Sequence, residues 1–241
     1  MRLGIHACPD GHGPGNRLFL RTMKYMSSIQ RPRTRMTGVQ RRLQLLDIAR
    51  QLFSLRGVDG TTIEEIATAA GVSKPVVYEH FSSKEALYME VVTNEYRELL
   101  TRITDSLSGD DSSRVLLEKA ALALLTYIED CTEGFRILVR DAPPSQPEGT
   151  YSTLLTKVTE QVEHILADEF SRRGFSAEDG SIYAQMLVGM VAMTAQWWLD
   201  ARHPDKHTVA AHVVNLAWYG LTGLQKEPSL SNFPKKTSPN N

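Results

Sequence analysis

The stretch from Thr62 to Leu87, TIEEIATAAGVSKPVVYEHFSSKEAL, starts and stops helices more often than a single long helix or a strand permits. Thr62 followed by Glu65 is a capping box, in which each side chain satisfies the other's backbone N–H. Ile63, Ile66, Ala67 and Ala70 then fall on one face of a helix over 63–70, and Gly71 supplies a left-handed stop. Ser73 is placed to cap a next helix, with Pro75 in its first turn, where a missing N–H costs little. Ser82 with Glu85 reads as a second capping box that restarts the chain at once. Two short helices set at an angle by a glycine turn, with a third following directly, is the physical description of a helix-turn-helix over 62–81.

The rest of the chain supports an all-α fold. Leu45, Ala49, Leu52 and Phe53 mark a first helix over about 38–56 that ends at Gly57, and the helix restarting at Ser82 runs to about 107 through Leu87, Val91, Leu99 and Ile103. Further helices are predicted at about 112–131, 134–141, 151–173, 178–202 and 206–224, separated by Gly-, Pro- and Asp-rich breaks. That makes about nine helices, with no Asn-Gly hairpin or alternating run that reads as a strand. The 241 residues suit a small domain at 38–98, carrying the helix-turn-helix, joined to a larger helical domain at 99–227. Residues 1–37 are expected to be a disordered basic arm and 228–241 a disordered tail. Met23, Met26 and Met36 leave the translation start open beside Met1.

The overall net charge of −1 selects no partner, but its distribution does. Residues 1–60 carry eleven Lys and Arg against three acids, a net of +8, and the remainder is acidic. A basic end on an acidic body points to a polyanion contact at the N-terminal side. Cys8 and Cys131 are too few for a disulfide framework, which fits a reducing, cytoplasmic compartment. The most apolar run, Met186–Leu199, is too short to span a bilayer, so no membrane partner is expected. Glu64 with Glu65 and Glu160 with Glu163 lack the partners catalysis needs, so no catalytic residue is expected. His203 and His207 are a weak metal pair interrupted by Pro204, so neither a metal site nor a cofactor is expected.

The short third helix cannot bury Lys74, Val76, Val77 and Tyr78 together. In a major groove, methyls of Val76 or Val77 can meet thymine methyls, and Lys74 can reach a guanine edge or a phosphate. Tyr78, His80 and Lys84 suit phosphate oxygens, and N–H groups at the starts of the second and fourth helices add anion contacts. Arg31, Arg33, Arg35, Arg41 and Arg42 are read as an arm preceding the first helix and are candidates for entry into the adjacent minor groove.

The segment RLQLLDIARQLFSLRGVDGTTIEEIATAAGVSKPVVYEHFSSKEALYMEVV resembles the DNA-binding domain of the TetR/AcrR family of bacterial transcriptional regulators. The resemblance covers about residues 39–99. It implies a homodimer that binds a near-palindromic operator on double-stranded DNA and is released by a small-molecule effector, most often acting as a repressor. It also implies that Thr62, Ser73, Lys74, Pro75, Val76, Val77, Tyr78, His80 and Lys84 contact DNA, while Phe81 anchors the third helix. The last two predicted helices are apolar on more than one stripe and are expected to form the dimer interface, with Gly189, Ala192, Ala195, Ala210 and Ala211 allowing close approach. Tyr127, Phe135, Leu138, Tyr151, Met186, Met190, Met193 and Trp197 are the candidate lining of an effector pocket, because methionine and aromatic surfaces adapt to varied apolar ligands.

Overall fold

The computed structural model describes residues 36–140 and 151–229, and among them every regular element is helical. The helices are α1 (Gly38–Arg56), α2 (Ile63–Ala70), α3 (Lys74–His80), α4 (Lys84–Ser106), α5 (Ser113–Asp130), α6 (Thr132–Val139), α7 (Tyr151–Arg173), α8 (Gly180–Ala201) and α9 (Lys206–Thr222), with a 3-10 turn at Ala177–Asp179 before α8. The basic-arm residues Arg31, Arg33 and Arg35 and nearly all of the predicted tail lie outside the described residues. No described helix is long and apolar enough to cross a membrane.

Local signals account for most helix ends. Thr37 and Gln40 exchange side-chain and backbone bonds of 3.0 and 3.2 Å, a capping box for α1. The fourth helix differs from expectation. Its cap is Ser83, whose hydroxyl accepts from the Ala86 N–H at 3.0 Å, so the predicted Ser82–Glu85 box is one residue out of register. Asp205 caps α9 by accepting from His207 and Thr208.

From Arg42 onward the helices form one compact unit. A single core runs from Leu45, Phe53 and Ile66 near the N-terminal helices through Leu87 and Leu99 on α4 to Tyr127, Phe135 and Trp198. A smaller satellite core gathers Leu166, Phe170 and Ala184 between α7 and α8.

One polar cluster is buried inside the main core. Glu95 on α4 accepts from the Tyr127 hydroxyl at 2.6 Å and lies 3.5 Å from the Arg50 guanidinium on α1. Burial and the neighbouring Glu95 charge push the Tyr127 phenol well above its ordinary range. Gly134 on α6 is pressed against this cluster, and a Cβ there would stand 2.0 Å from Glu95 Oε2. An ordinary helical Gly→Ala change stabilises by about 0.5–1 kcal/mol. Gly134→Ala is expected to do the reverse, destabilising by about 3 kcal/mol or more, because it must displace a buried carboxylate from its partners. Urea unfolding of the variant checks the sign.

Candidate nucleic-acid interface

The geometry of α2 and α3 follows from their caps. Thr62 Oγ1 accepts from the Glu65 N–H at 3.2 Å while Glu65 Oε2 accepts from the Thr62 N–H at 2.9 Å, so both halves of the box are made. These bonds hold the Glu65 carboxyl below its usual range, the Thr62 backbone N–H contributing most. Gly71, at φ +66°, reverses the chain, and the Val72 N–H reaches the Ala67 carbonyl at 2.9 Å. A side chain at Gly71 would meet no atoms, so the glycine serves backbone conformation rather than packing. Ser73 sits at the N-cap of α3, but its hydroxyl makes no capping bond.

The two valines of α3 separate clearly. Val77 is fully buried and Phe81 nearly so, whereas Val76 is half-buried at the surface. Val77 is therefore removed from the candidate DNA contacts. Its Cβ lies on the face that packs inward, and α3 turns by about 100° per residue, which carries Val76 off that face. Lys74, Pro75 and Tyr78 are exposed, Tyr78 at 45%, and His80 is half-buried.

Charged groups surround this face in specific pairings. Lys74 is bonded to Glu64 on α2 and lies 5.9 Å from the Tyr78 ring centroid. The pairing lowers Glu64 and raises Lys74 from their ordinary values, each through the hydrogen bond to the other. Lys84 donates to the Val58 carbonyl at 2.7 Å, fastening the loop after α1, so a phosphate contact requires it to give up that bond. Arg42 lies within α1 rather than on an arm preceding it. Its guanidinium donates to the His80 carbonyl, pairs with Glu90 on α4, and stands 4.3 Å from the Phe81 ring centroid. This is how α1 holds α3 against α4. Glu79, which the sequence reading passed over, is exposed on α3 and can accept from a cytosine amino group.

A second site lies between α4, α5, α7, α8 and α9. A cavity of about 100 Å³, open to solvent on one side, is lined by aliphatic side chains including Leu107, Leu124, Val158, Leu187 and Val191, with Trp218 beside them. Ser113 and Tyr151 are the polar residues on its wall. Of the eight residues predicted to line a pocket, only Tyr151 does so. Tyr127, Phe135 and Leu138 are packed into the core. Met186, Met193 and Trp197 are 60, 65 and 55% exposed, and Met190 shares their stripe. The reason is helical phase: α8 has two apolar faces, and the cavity takes Leu187, Val188, Val191 and Ala192 from the other one.

The arrangement of a helix-turn-helix followed by a helical domain with an apolar cavity defines a class of DNA-binding transcriptional regulator. Residues 45–91 match the N-terminal model of bacterial regulatory proteins of the tetR family, and residues 114–220 match a tetracyclin repressor-like C-terminal domain. The transcriptional activator FasR of Mycolicibacterium smegmatis is 32% identical over 185 residues, covering 76% of this chain and 84% of FasR. The transcriptional repressor KstR2 of Rhodococcus jostii is 38% identical over 87 residues, 36% of this chain and 42% of that protein. A TetR-like regulator from Rhodococcus sp. RHA1 superposes with a TM-score of 0.66 at 25% identity, covering 79% of this chain and all of that one. AibR, solved with isovaleryl coenzyme A and operator DNA, shares the fold with a TM-score of 0.59 at 19% identity over 73% of this chain and 97% of AibR. The chain belongs to the TetR family of bacterial transcriptional regulators, which are DNA-binding proteins and not enzymes.

Among the described residues, no three His, Cys, Asp or Glu side chains gather where a metal ion could be held. Val77→Ala is expected to destabilise by about 2 kcal/mol through the cavity it leaves, whereas Val76→Ala is expected to cost under about 0.5 kcal/mol. Thermal melting of the two variants separates the buried valine from the surface one.

Proposed function

We propose that the protein is a homodimeric regulator that binds a near-palindromic operator through α3 and is released by an apolar small molecule entering the cavity. The observation that carries the DNA side is the division of α3, with Val77 inward and Lys74, Pro75, Val76 and Tyr78 outward. Lys74, Tyr78, His80 and Lys84 serve as phosphate or base-edge contacts, with Thr62 and Ser73 at the flanking helix starts. The protein acts in the cytoplasm, where its DNA is.

The second copy covers the exposed apolar stripe of α8 and α9. Ile182, Met186, Met193 and Trp197 recur along one side of α8, and Leu216 and Tyr219 along one side of α9, all exposed. A surface of this kind on two adjacent helices fits a two-fold interface between copies. Gly189 has open space above it and Ala211 is exposed, which suits close approach. Ala192, Ala195 and Ala210 are instead spent in the chain's own core.

The effector is a molecule with an aliphatic body, because a wall with so few polar groups offers little to orient a sugar or nucleotide. AibR, which shares the fold, was solved with isovaleryl coenzyme A, and only the aliphatic acyl part of that ligand supports this reading. Two recognition helices must lie about 34–36 Å apart to enter successive major grooves, and a ligand that favours another separation weakens binding by its differential affinity for the two states. Bound DNA is blocked to polymerase, which makes the protein a repressor. The FasR relative, named an activator, supports the opposite sign, and a reporter gene placed behind the bound site distinguishes them.

Replacing both Met193 and Trp197 by Asp is expected to shift the chain from dimer to monomer by light scattering and to weaken operator binding about 100-fold or more through lost bivalency. A wild type that is already monomeric, or a variant that stays dimeric or keeps its DNA affinity, would contradict the interface. The fluorescent fatty acid cis-parinaric acid is expected to bind the wild type and release its DNA, with glucose having no effect. Release by glucose and not by the fatty acid would contradict the ligand class.

A further inference from the structure

The eight-residue helix α6 is tied to three parts of the molecule at once. At its start, Thr132 Oγ1 accepts from Arg202 at 2.8 Å, and Arg136 pairs with Asp200 at 2.5 Å, joining it to the end of α8. In its middle, Phe135 stands edge-on to Tyr151 of the cavity wall, ring centroids 5.7 Å apart. At its end is Arg140. The Arg140 guanidinium donates to the Phe53 carbonyl at 2.8 Å and to the Ser54 carbonyl at 3.2 Å, both in the last turn of α1.

Helix C-termini leave backbone carbonyls without partners and carry partial negative charge, so a two-pronged cation is well matched to that position. Here the cation comes from 87 residues away in sequence rather than from the helix's own last turn. The remote end of α1 holds the DNA-reading helix. Arg42 grips the His80 carbonyl, the Phe81 ring and Glu90. Arg42 and Phe53 are eleven positions apart on α1, about 16 Å along its axis, so a displacement at the Arg140 end reaches α3 through a rigid rod.

We propose that Arg140 is a positioning residue for operator reading: by holding the last turn of α1 it sets the pose of α3 relative to the body that carries the cavity and the proposed dimer face. It touches no DNA. Its effect falls on sequence-specific binding, which needs both recognition helices in register, and not on loose electrostatic binding, which tolerates a change of pose. The proposal rests on the DNA-reading dimer described above.

The test uses the full chain. A preferred 30-base-pair duplex is enriched from a random pool with the wild type, and dissociation constants for that duplex and for an unselected duplex are measured for wild type, Arg140→Gln and Arg140→Lys, with melting curves alongside. Arg140→Gln is expected to lose about tenfold or more on the enriched duplex, a small part of the about 10³–10⁷ specificity range, and to stay within about twofold on the unselected one. Arg140→Lys keeps the charge without the two-carbonyl fork and is expected to recover part of the loss. Wild-type affinity for the enriched duplex in Arg140→Gln overturns the proposal, and so does an equal loss on both duplexes. If Arg140→Gln does not fold, Arg140→Lys is read in its place: a loss confined to the enriched duplex supports the proposal, and wild-type behaviour or a uniform loss overturns it. Failure of the wild type to enrich any duplex overturns the DNA-reading dimer itself, and this inference with it.

Discussion

The burial of Glu95 beside Tyr127 and Arg50 is the constraint on which the rest of the structure depends. A carboxylate in the core must be surrounded by donors, and here the donors come from α1 and α5 while Gly134 of α6 gives up its side chain to make room. Three helices are thereby fixed at one point on α4. An aliphatic residue at 95 would pack as well but would accept many rotations of α1 about α4. The polar cluster admits few, because each donor has a direction.

From that fixed point α1 extends toward α3 at one end and Arg140 at the other. The N-terminal helices are therefore not a separate bead on a linker. Val77 and Phe81 bury against the same continuous core that includes Tyr127 and Phe135. This continuity gives the proposed effector response a packed path from the cavity wall to α3. It also explains why α3 can be so short: its seven residues need only present one exposed face, since α1 and α4 supply its rigidity.

The helix-turn-helix was legible in the sequence because its signals are local. A capping box, a left-handed glycine and an early proline each act only on backbone within about four residues of themselves, and the structure places Thr62, Glu65 and Gly71 as those rules require. What failed to read was whatever depends on facing. Val76 and Val77 are chemically identical neighbours, and only the core against α3 decides which one is hidden. The methionine stripe of α8 looked like a pocket wall because composition does not tell one apolar face of a helix from the other. Glu95 and Gly134 carry no local pattern at all, since each acts on residues far off in the chain. Ser82 and Ser83 show the finest limit: two adjacent serines offer equivalent caps in sequence, and the structure uses the second.

The central claim is that α3, held in this pose in each of two copies, reads one face of a DNA duplex at two places. Hydroxyl-radical footprinting of the full chain on its enriched duplex tests it most directly. Two protected patches are expected, related by a two-fold axis and centred about 10–10.5 base pairs apart, or a multiple of that spacing, on one face of the helix. A single patch, or protection spread evenly along the duplex, would contradict it.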